Sequence, residues 1–206
     1  MRKLSFLFIL FCAVACGVKT QETPNIDVKT TPVIKQNAKA LVAYFSHTGE
    51  NYGVGYITIG NTQKVALEIA TQTGAELFRI ETIKDYPKTY QSCTEVSKEE
   101  LKENARPELK AKPENMQDYD IIYLGYTIWW GDMPMAVYTF LESYNLEGKI
   151  IMPFATHEGS HMGRTEENLK KLLPKTTIGQ GLAIYGTTAQ TDSEATQKAV
   201  RNWLKK

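Results

Sequence analysis

Ile121-Ile122-Tyr123-Leu124-Gly125-Tyr126-Thr127-Ile128-Trp129-Trp130-Gly131-Asp132 is the stretch whose reading decides the fold. It opens on a continuous apolar run closed by glycine, as expected of a strand covered on both faces. A loop with two adjacent tryptophans follows, and Pro134 then opens a helix through Tyr144, proline being well tolerated in a first turn. Strand, loop and helix in this order recur on both sides. Upstream, Leu41 to Phe45 is a second buried run, and Thr62 to Thr73 puts Val65, Ala66, Ile69 and Ala70 on one helical face before Gly74 stops it. Ala75 to Ile80 is the next strand, followed by a longer excursion, Glu81 to Asp118, with a short helical stretch near Ser97 to Asn104. Downstream come a strand at Lys149 to Ala155, a helix at Arg164 to Leu173 and a strand at Thr176 to Tyr185. Ser193 caps a last helix whose apolar face includes Ala195, Ala199 and Trp203, with Leu204 beside it. Five strands alternating with helices predict an α/β fold, a doubly wound parallel sheet. Ligands of such sheets sit beyond the carboxyl ends of the strands, at the switch point. The loops after strands one, three and four should therefore carry the function.

The amino-terminal residues read as an address. Arg2 and Lys3 precede an apolar run, Leu4 to Val14, which is too short to span a bilayer. It ends in Ala13-Val14-Ala15-Cys16-Gly17, which resembles a bacterial lipobox, with Cys16 lipidated as the mature amino terminus. The alternative is an ordinary secretory signal cleaved nearby. Residues 17 to 38 are rich in Thr, Lys, Gln and Pro without period, as expected of a solvated tether. The organisation is thus 1–15 signal peptide, 16–38 tether and 39–206 one domain, exported and lipid-anchored to a bacterial membrane facing the periplasm. With Cys16 lipidated, only Cys93 remains, so no intradomain disulfide is expected. A formal net charge of +1 over 206 residues gives no concentrated basic face and no reason to propose nucleic acid.

The loop after the first strand reads Ser46-His47-Thr48-Gly49-Glu50-Asn51, detours through Tyr52 to Ile59, and resumes at Gly60-Asn61-Thr62 as the helix begins. Hydroxyls, a glycine turn and a helix amino terminus form an anion site. No lysine or arginine occurs from Ser46 to Thr62, which suits a flavin monophosphate better than ATP, whose glycine loop carries a lysine. After the third strand, Thr127-Ile128-Trp129-Trp130-Gly131 offers a stacking wall for an aromatic ring, the alternative being one core and one exposed tryptophan. After the fourth, Thr156-His157-Glu158-Gly159-Ser160-His161-Met162-Gly163 lets backbone amides approach a flavin closely.

Together these loops resemble the bacterial flavodoxin-like family in which the phosphate loop carries an insertion, and the likeness runs from about Ala40 to Lys205. It implies the strand order 2-1-3-4-5 and one FMN. Ser46, Thr48, Asn61 and Thr62 would surround the phosphate, with Thr127 to Gly131 and Thr156 to Gly163 around the ring system. The sequence departs from the family pattern at Thr127, where proline is usual, and at His157, Glu158 and His161, where small residues are usual.

His157-Glu158-Gly159-Ser160-His161 also matches H-E-x-x-H, but zinc-protease chemistry needs that motif on a helix, and Gly159, Ser160 and Gly163 are poor helix material. No metal is expected. All three histidines, His47, His157 and His161, fall in the proposed flavin loops. They are either polar loop residues or, for His157 and His161, candidate catalytic groups that stabilise negative charge on a reduced flavin. Three functions remain open. One is an oxidoreductase moving electrons from a reduced nicotinamide to a quinone or similar acceptor. The others are a membrane-tethered electron carrier and a redox-inactive binding module.

Overall fold

In the computed structural model the described residues run from 38 to 205, so the signal, Cys16 and the tether up to residue 37 lie outside them. The first apolar run forms β1 (Ala40–Tyr44), and an antiparallel hairpin of β2 (Gly49–Asn51) and β3 (Gly55–Ile57) fills the detour before α1 (Asn61–Thr73). Next come β4 (Glu76–Arg79), α2 (Tyr90–Glu103), a 3-10 turn at Met116–Asp118 and β5 (Ile121–Thr127). The second half holds α3 (Met135–Glu142), β6 (Ile150–His157), α4 (Thr165–Leu172), β7 (Thr177–Ile178), β8 (Leu182–Tyr185), α5 (Gly186–Thr191) and α6 (Ser193–Trp203).

The main sheet is parallel, in the order β4-β1-β5-β6, with β7 and β8 pairing successive parts of the same edge of β6. This is the expected 2-1-3-4-5 order with the fifth position broken at Gly179-Gln180-Gly181. Trp203 Nε1 donates to Gln180 O across that break at 2.7 Å.

Each central strand sends alternate side chains to opposite layers, as a period of two requires. Leu41, Ala43, Ile122, Leu124 and Tyr126 pack with Val137, Phe140 and Leu141 of α3 and Leu169 of α4. Val42, Tyr44, Ile121, Tyr123 and Phe154 pack with Val65, Ala66 and Ile69 of α1 and with Val200 and Trp203 of α6. Full burial of such side chains is worth about 1.5–3 kcal/mol each, and a one-residue slip would exchange the layers. Register at the carboxyl edge is therefore fixed by both cores.

Three local expectations are corrected. Helix α2 starts at Tyr90 rather than Ser97. The α6 cap is Asp192, whose side chain accepts the Ala195 N–H, and the buried face is Thr196, Val200 and Trp203 with Ala195 and Ala199 at its flank. Helix α5 had no counterpart in the pattern. No helix among the described residues is long and apolar enough to cross a membrane.

Candidate functional site

The loops after β1, β5 and β6 converge beyond the carboxyl edge of the sheet on a cleft of about 490 Å³. Of the residues singled out in the sequence, His47, Asn61, Thr127, Ile128, Trp129, Trp130, Thr156, His157, Glu158 and Ser160 line it.

Tryptophans 129 and 130 divide the work. Trp129 packs edge-on against Phe45, Tyr86 and His47, with ring centroids 5.3, 5.0 and 5.9 Å away. Trp130 is half exposed, and its Nε1 donates to Thr94 O and Ser97 Oγ of α2, both at 3.2 Å. Trp129 and Asp132 exchange two backbone hydrogen bonds of 2.9 Å, closing a turn whose middle residues, Trp130 (φ 54) and Gly131 (φ 77), are both left-handed. That is a type I′ turn. For a tryptophan the conformation costs about 1–2 kcal/mol, which the bonds to α2 offset. The turn is clamped from the other loop as well: Arg164 N–H donates to Gly131 O at 2.9 Å, and a β-carbon on Gly163 would overlap that carbonyl.

The anion end is built differently from the expectation. Ser46 Oγ accepts the Gln63 N–H at 3.1 Å and so caps α1 from outside, while Thr62 Oγ1 and Thr156 Oγ1 share a buried bond of 2.8 Å. Among the described residues, the backbone amides of Asn61 and Thr62 have no hydrogen-bond partner. Ser46 and Thr48 border a second, smaller cleft of about 160 Å³ instead of the first. There Lys88 Nζ donates to Thr48 Oγ1 at 2.8 Å, so the loop has a cation neighbour that a reading of Ser46 to Thr62 alone does not reveal. Gly49 opens β2 against the Lys88 backbone, where Glu50 N–H donates to Lys88 O at 2.7 Å.

His157 is buried, and its Nδ1 accepts the Gly159 N–H at 2.9 Å, which places the proton of the neutral ring on Nε2. Desolvation, and then the charge of His161, push its pKa below the ordinary histidine value. His161 is exposed and does not line the cleft; its ring lies 4.8 Å from that of His157 and 6.4 Å from that of Tyr185, which in turn lies 4.4 Å from His157, so the three rings form one cluster. The cationic imidazole expected in the cleft is thus disfavoured, and His157 presents a neutral N–H donor. The five residues from His157 leave a strand and pass through a bend and a turn, so H-E-x-x-H is not helical here. No cluster of three or more metal-ligating side chains occurs among the described residues.

Glu158 Oε1 accepts the Thr187 N–H at 3.0 Å, and the hairpin tip at Gly53 packs against its carboxylate. Burial raises the Glu158 pKa above the ordinary carboxylate value, and the Thr187 bond works against that rise. His47, buried, bonds Pro87 O through Nε2 at 2.9 Å, and desolvation lowers its pKa.

Sequence reasoning missed one wall of the cleft. Tyr90, Cys93, Thr94 and Ser97 of α2 line it, as do Glu50, Asn51 and Tyr52 from the hairpin. The four α2 residues are spaced i, i+3, i+4 and i+7, one helical face, and that spacing was available as a signal. The Cys93 thiol is pushed up to about 12 by burial and by Glu100, which disfavours the nucleophilic thiolate.

The sequence pattern of the flavodoxin family matches residues 39–206. A curated relative, an NAD(P)H dehydrogenase (quinone) of Archaeoglobus fulgidus, is 26% identical over 156 residues, 72% of this chain and 76% of the relative. A candidate flavoprotein of Bacteroides eggerthii, solved by crystallography, is 33% identical with a TM-score of 0.64, covering 82% of this chain and 97% of that one. A flavoprotein of Lactobacillus acidophilus solved in complex with FMN is 18% identical with a TM-score of 0.57, over 77% of this chain and 99% of that one. With the parallel sheet, the order of its strands and the three convergent loops, the match across nearly all of the described residues establishes that this chain belongs to the flavodoxin family.

Proposed function

We propose that the cleft holds one FMN and that the chain is an oxidoreductase, passing electrons from a reduced nicotinamide to a quinone or similar acceptor. The observation that carries this reading is the convergence of the loops after β1, β5 and β6 on one cleft walled by Trp129, Trp130 and His157. Its volume of about 490 Å³ falls in the range of cofactor sites, about 300–1,000 Å³. The unpartnered amides of Asn61 and Thr62, at the start of a thirteen-residue helix, fit a phosphate. When bound, FMN supplies the hydride-accepting ring.

The chain's own residues bind, orient and shield. Trp129, fixed by Phe45 and Tyr86, and Trp130, fixed by α2, set the plane in which a flat ring can lie. His157, oriented by Gly159, offers one neutral N–H donor, and its protonation on acidification would add positive charge beside the cleft. The name of the Archaeoglobus relative, an NAD(P)H dehydrogenase (quinone), supports the nicotinamide-to-quinone assignment. The reading includes export and lipidation at Cys16.

Steady-state turnover of FMN-reconstituted chain with NADH, NADPH and a panel of quinones tests the reaction. Bound FMN that neither nicotinamide reduces would move the assignment to a tethered electron carrier. A mature chain that starts at Cys16 with added lipid mass tests the anchor.

A further inference from the structure

From Asn51 to Gln63 the sequence carries thirteen consecutive residues without a charged side chain, in a protein of which 23% of residues are charged. The stretch runs from the last residue of β2 through β3 to the start of α1; the hairpin's one charge, Glu50, lies just before it, opposite Tyr56, with its carboxylate accepting the Tyr90 N–H. Its apolar groups face outward: Tyr52 is 66% exposed, Tyr56 68% and Ile59 47%. Tyr90 of α2 extends the patch, its ring centroid 6.1 Å from that of Tyr52. Single exposed apolar residues are ordinary, but several on one uncharged ribbon beside a binding cleft form a patch that calls for an occupant. Tyrosine with small and aliphatic neighbours is the composition of side chains that settle at lipid headgroup depth, with the ring in apolar surroundings and the hydroxyl in water.

We propose that this hairpin is the face the domain lays on the bilayer that holds its lipid, so that the cleft mouth opens at the headgroup layer. The inference rests on the reading of Cys16 as lipidated. The tether enters at the amino end of β1, whereas the hairpin leaves its carboxyl end, so the chain must reach around the domain. The 22 residues between Cys16 and Lys39 span at most about 75 Å. A domain of about 170 residues has a radius of gyration near 15 Å, and half its circumference is about 60 Å. The tether is therefore long enough for the opposite end of the sheet to meet the membrane. An uncharged contact needs no anionic lipid and should persist in salt. A lipid-soluble acceptor such as a quinone would then reach the cleft without crossing water.

The test uses the full lipidated chain on phosphatidylcholine vesicles. An environment-sensitive fluorophore is placed on the hairpin through Thr58→Cys and, as a control, on the exposed face of α4 through Lys171→Cys; buried Cys93 stays unlabelled. Flotation with the vesicles reads the anchor, and fluorescence reads the hairpin. The proposal expects a blue shift and quenching by brominated lipid at Thr58→Cys but not at Lys171→Cys, unchanged in high salt and lost with Tyr52→Ser and Tyr56→Ser. A chain that floats while the hairpin probe stays in water overturns this inference alone. A shift that appears only as protein concentration rises, with no lipid quenching, assigns the patch to a second copy and also overturns it. A chain that does not float removes the anchor and the inference together, leaving FMN binding untouched.

Discussion

Replacing Glu158 by glutamine should tighten FMN by about ten- to a hundredfold while leaving riboflavin unchanged. A β-carbon on Gly186 would overlap both the Asn61 side-chain Nδ2 and Glu158 Oε1, and both residues line the cleft, so the carboxylate sits at the end of the cleft where Asn61 opens α1. Two unit charges about 4 Å apart at an effective dielectric of about 20 differ by about 4 kcal/mol from the uncharged case. Greater separation and solvent screening reduce this to about 1.5–3 kcal/mol, one to two decades of affinity. Glutamine keeps the shape and can still accept the Thr187 N–H, so the α5 contact survives. Burial raises this carboxyl, which means the fold favours its protonated form. Stability from this group is therefore present at low pH and lost as pH rises through the raised value. Acidification should likewise raise the ratio of FMN to riboflavin affinity in wild type more than in Glu158→Gln, since both share the phosphate's own titration. The assay is titration of apo chain with each flavin from pH 5 to 8, followed by flavin fluorescence. Equal changes for FMN and riboflavin, or weaker FMN in Glu158→Gln, would refute the reasoning.

Because desolvation lowers both His47 and His157, the unfolded chain binds more protons than the fold once pH drops below about 6.5. Thermal midpoints should fall with pH through that window, and His47→Asn should flatten the fall. With FMN bound, the reduction potential should rise as pH falls through the range in which His157 takes up a proton, and that slope should disappear in His157→Ala; an unchanged slope by spectroelectrochemistry would remove His157 from the chemistry. Cys93 should resist a thiol reagent at pH 8 in the folded chain and react at once in denaturant, as a thiol pushed up to about 12 requires. Gly125→Ala should cost about 1–3 kcal/mol in denaturant unfolding, because the new methyl would overlap the Phe154 ring between β5 and β6.

The central strands were legible because they are buried on both faces: nothing in Leu41 to Phe45 or Ile121 to Gly125 competes with that reading. The loops after them followed from topology. Other features depend on contacts distant in sequence. Helix α2 buries little beyond Cys93 and Ser97, so its amphipathic signal is weak, and its start at Tyr90 is supported from the hairpin, where Glu50 Oε2 accepts the Tyr90 N–H at 3.0 Å. Lys88 lies 40 positions from Thr48, and no local pattern pairs them. The protonation of His157 turns on one backbone amide two residues away, a matter of loop conformation rather than residue type. Likewise the bond by which Ser46 Oγ accepts the Gln63 N–H joins residues 17 positions apart, so no local pattern marks Ser46, expected at a phosphate, as a cap of α1.

The contact between Gly163 and Gly131 bears on how this site can change. Because the two loops share a backbone hydrogen bond and leave no room for a β-carbon, they form one heritable part rather than two. Chimeras that take the tryptophan loop from a relative should succeed only when the histidine loop travels with it. Insertions that lengthen either loop should be confined to the side away from this contact, so new acceptor preferences would arise more readily from the hairpin and α2 than from the two loops beside them.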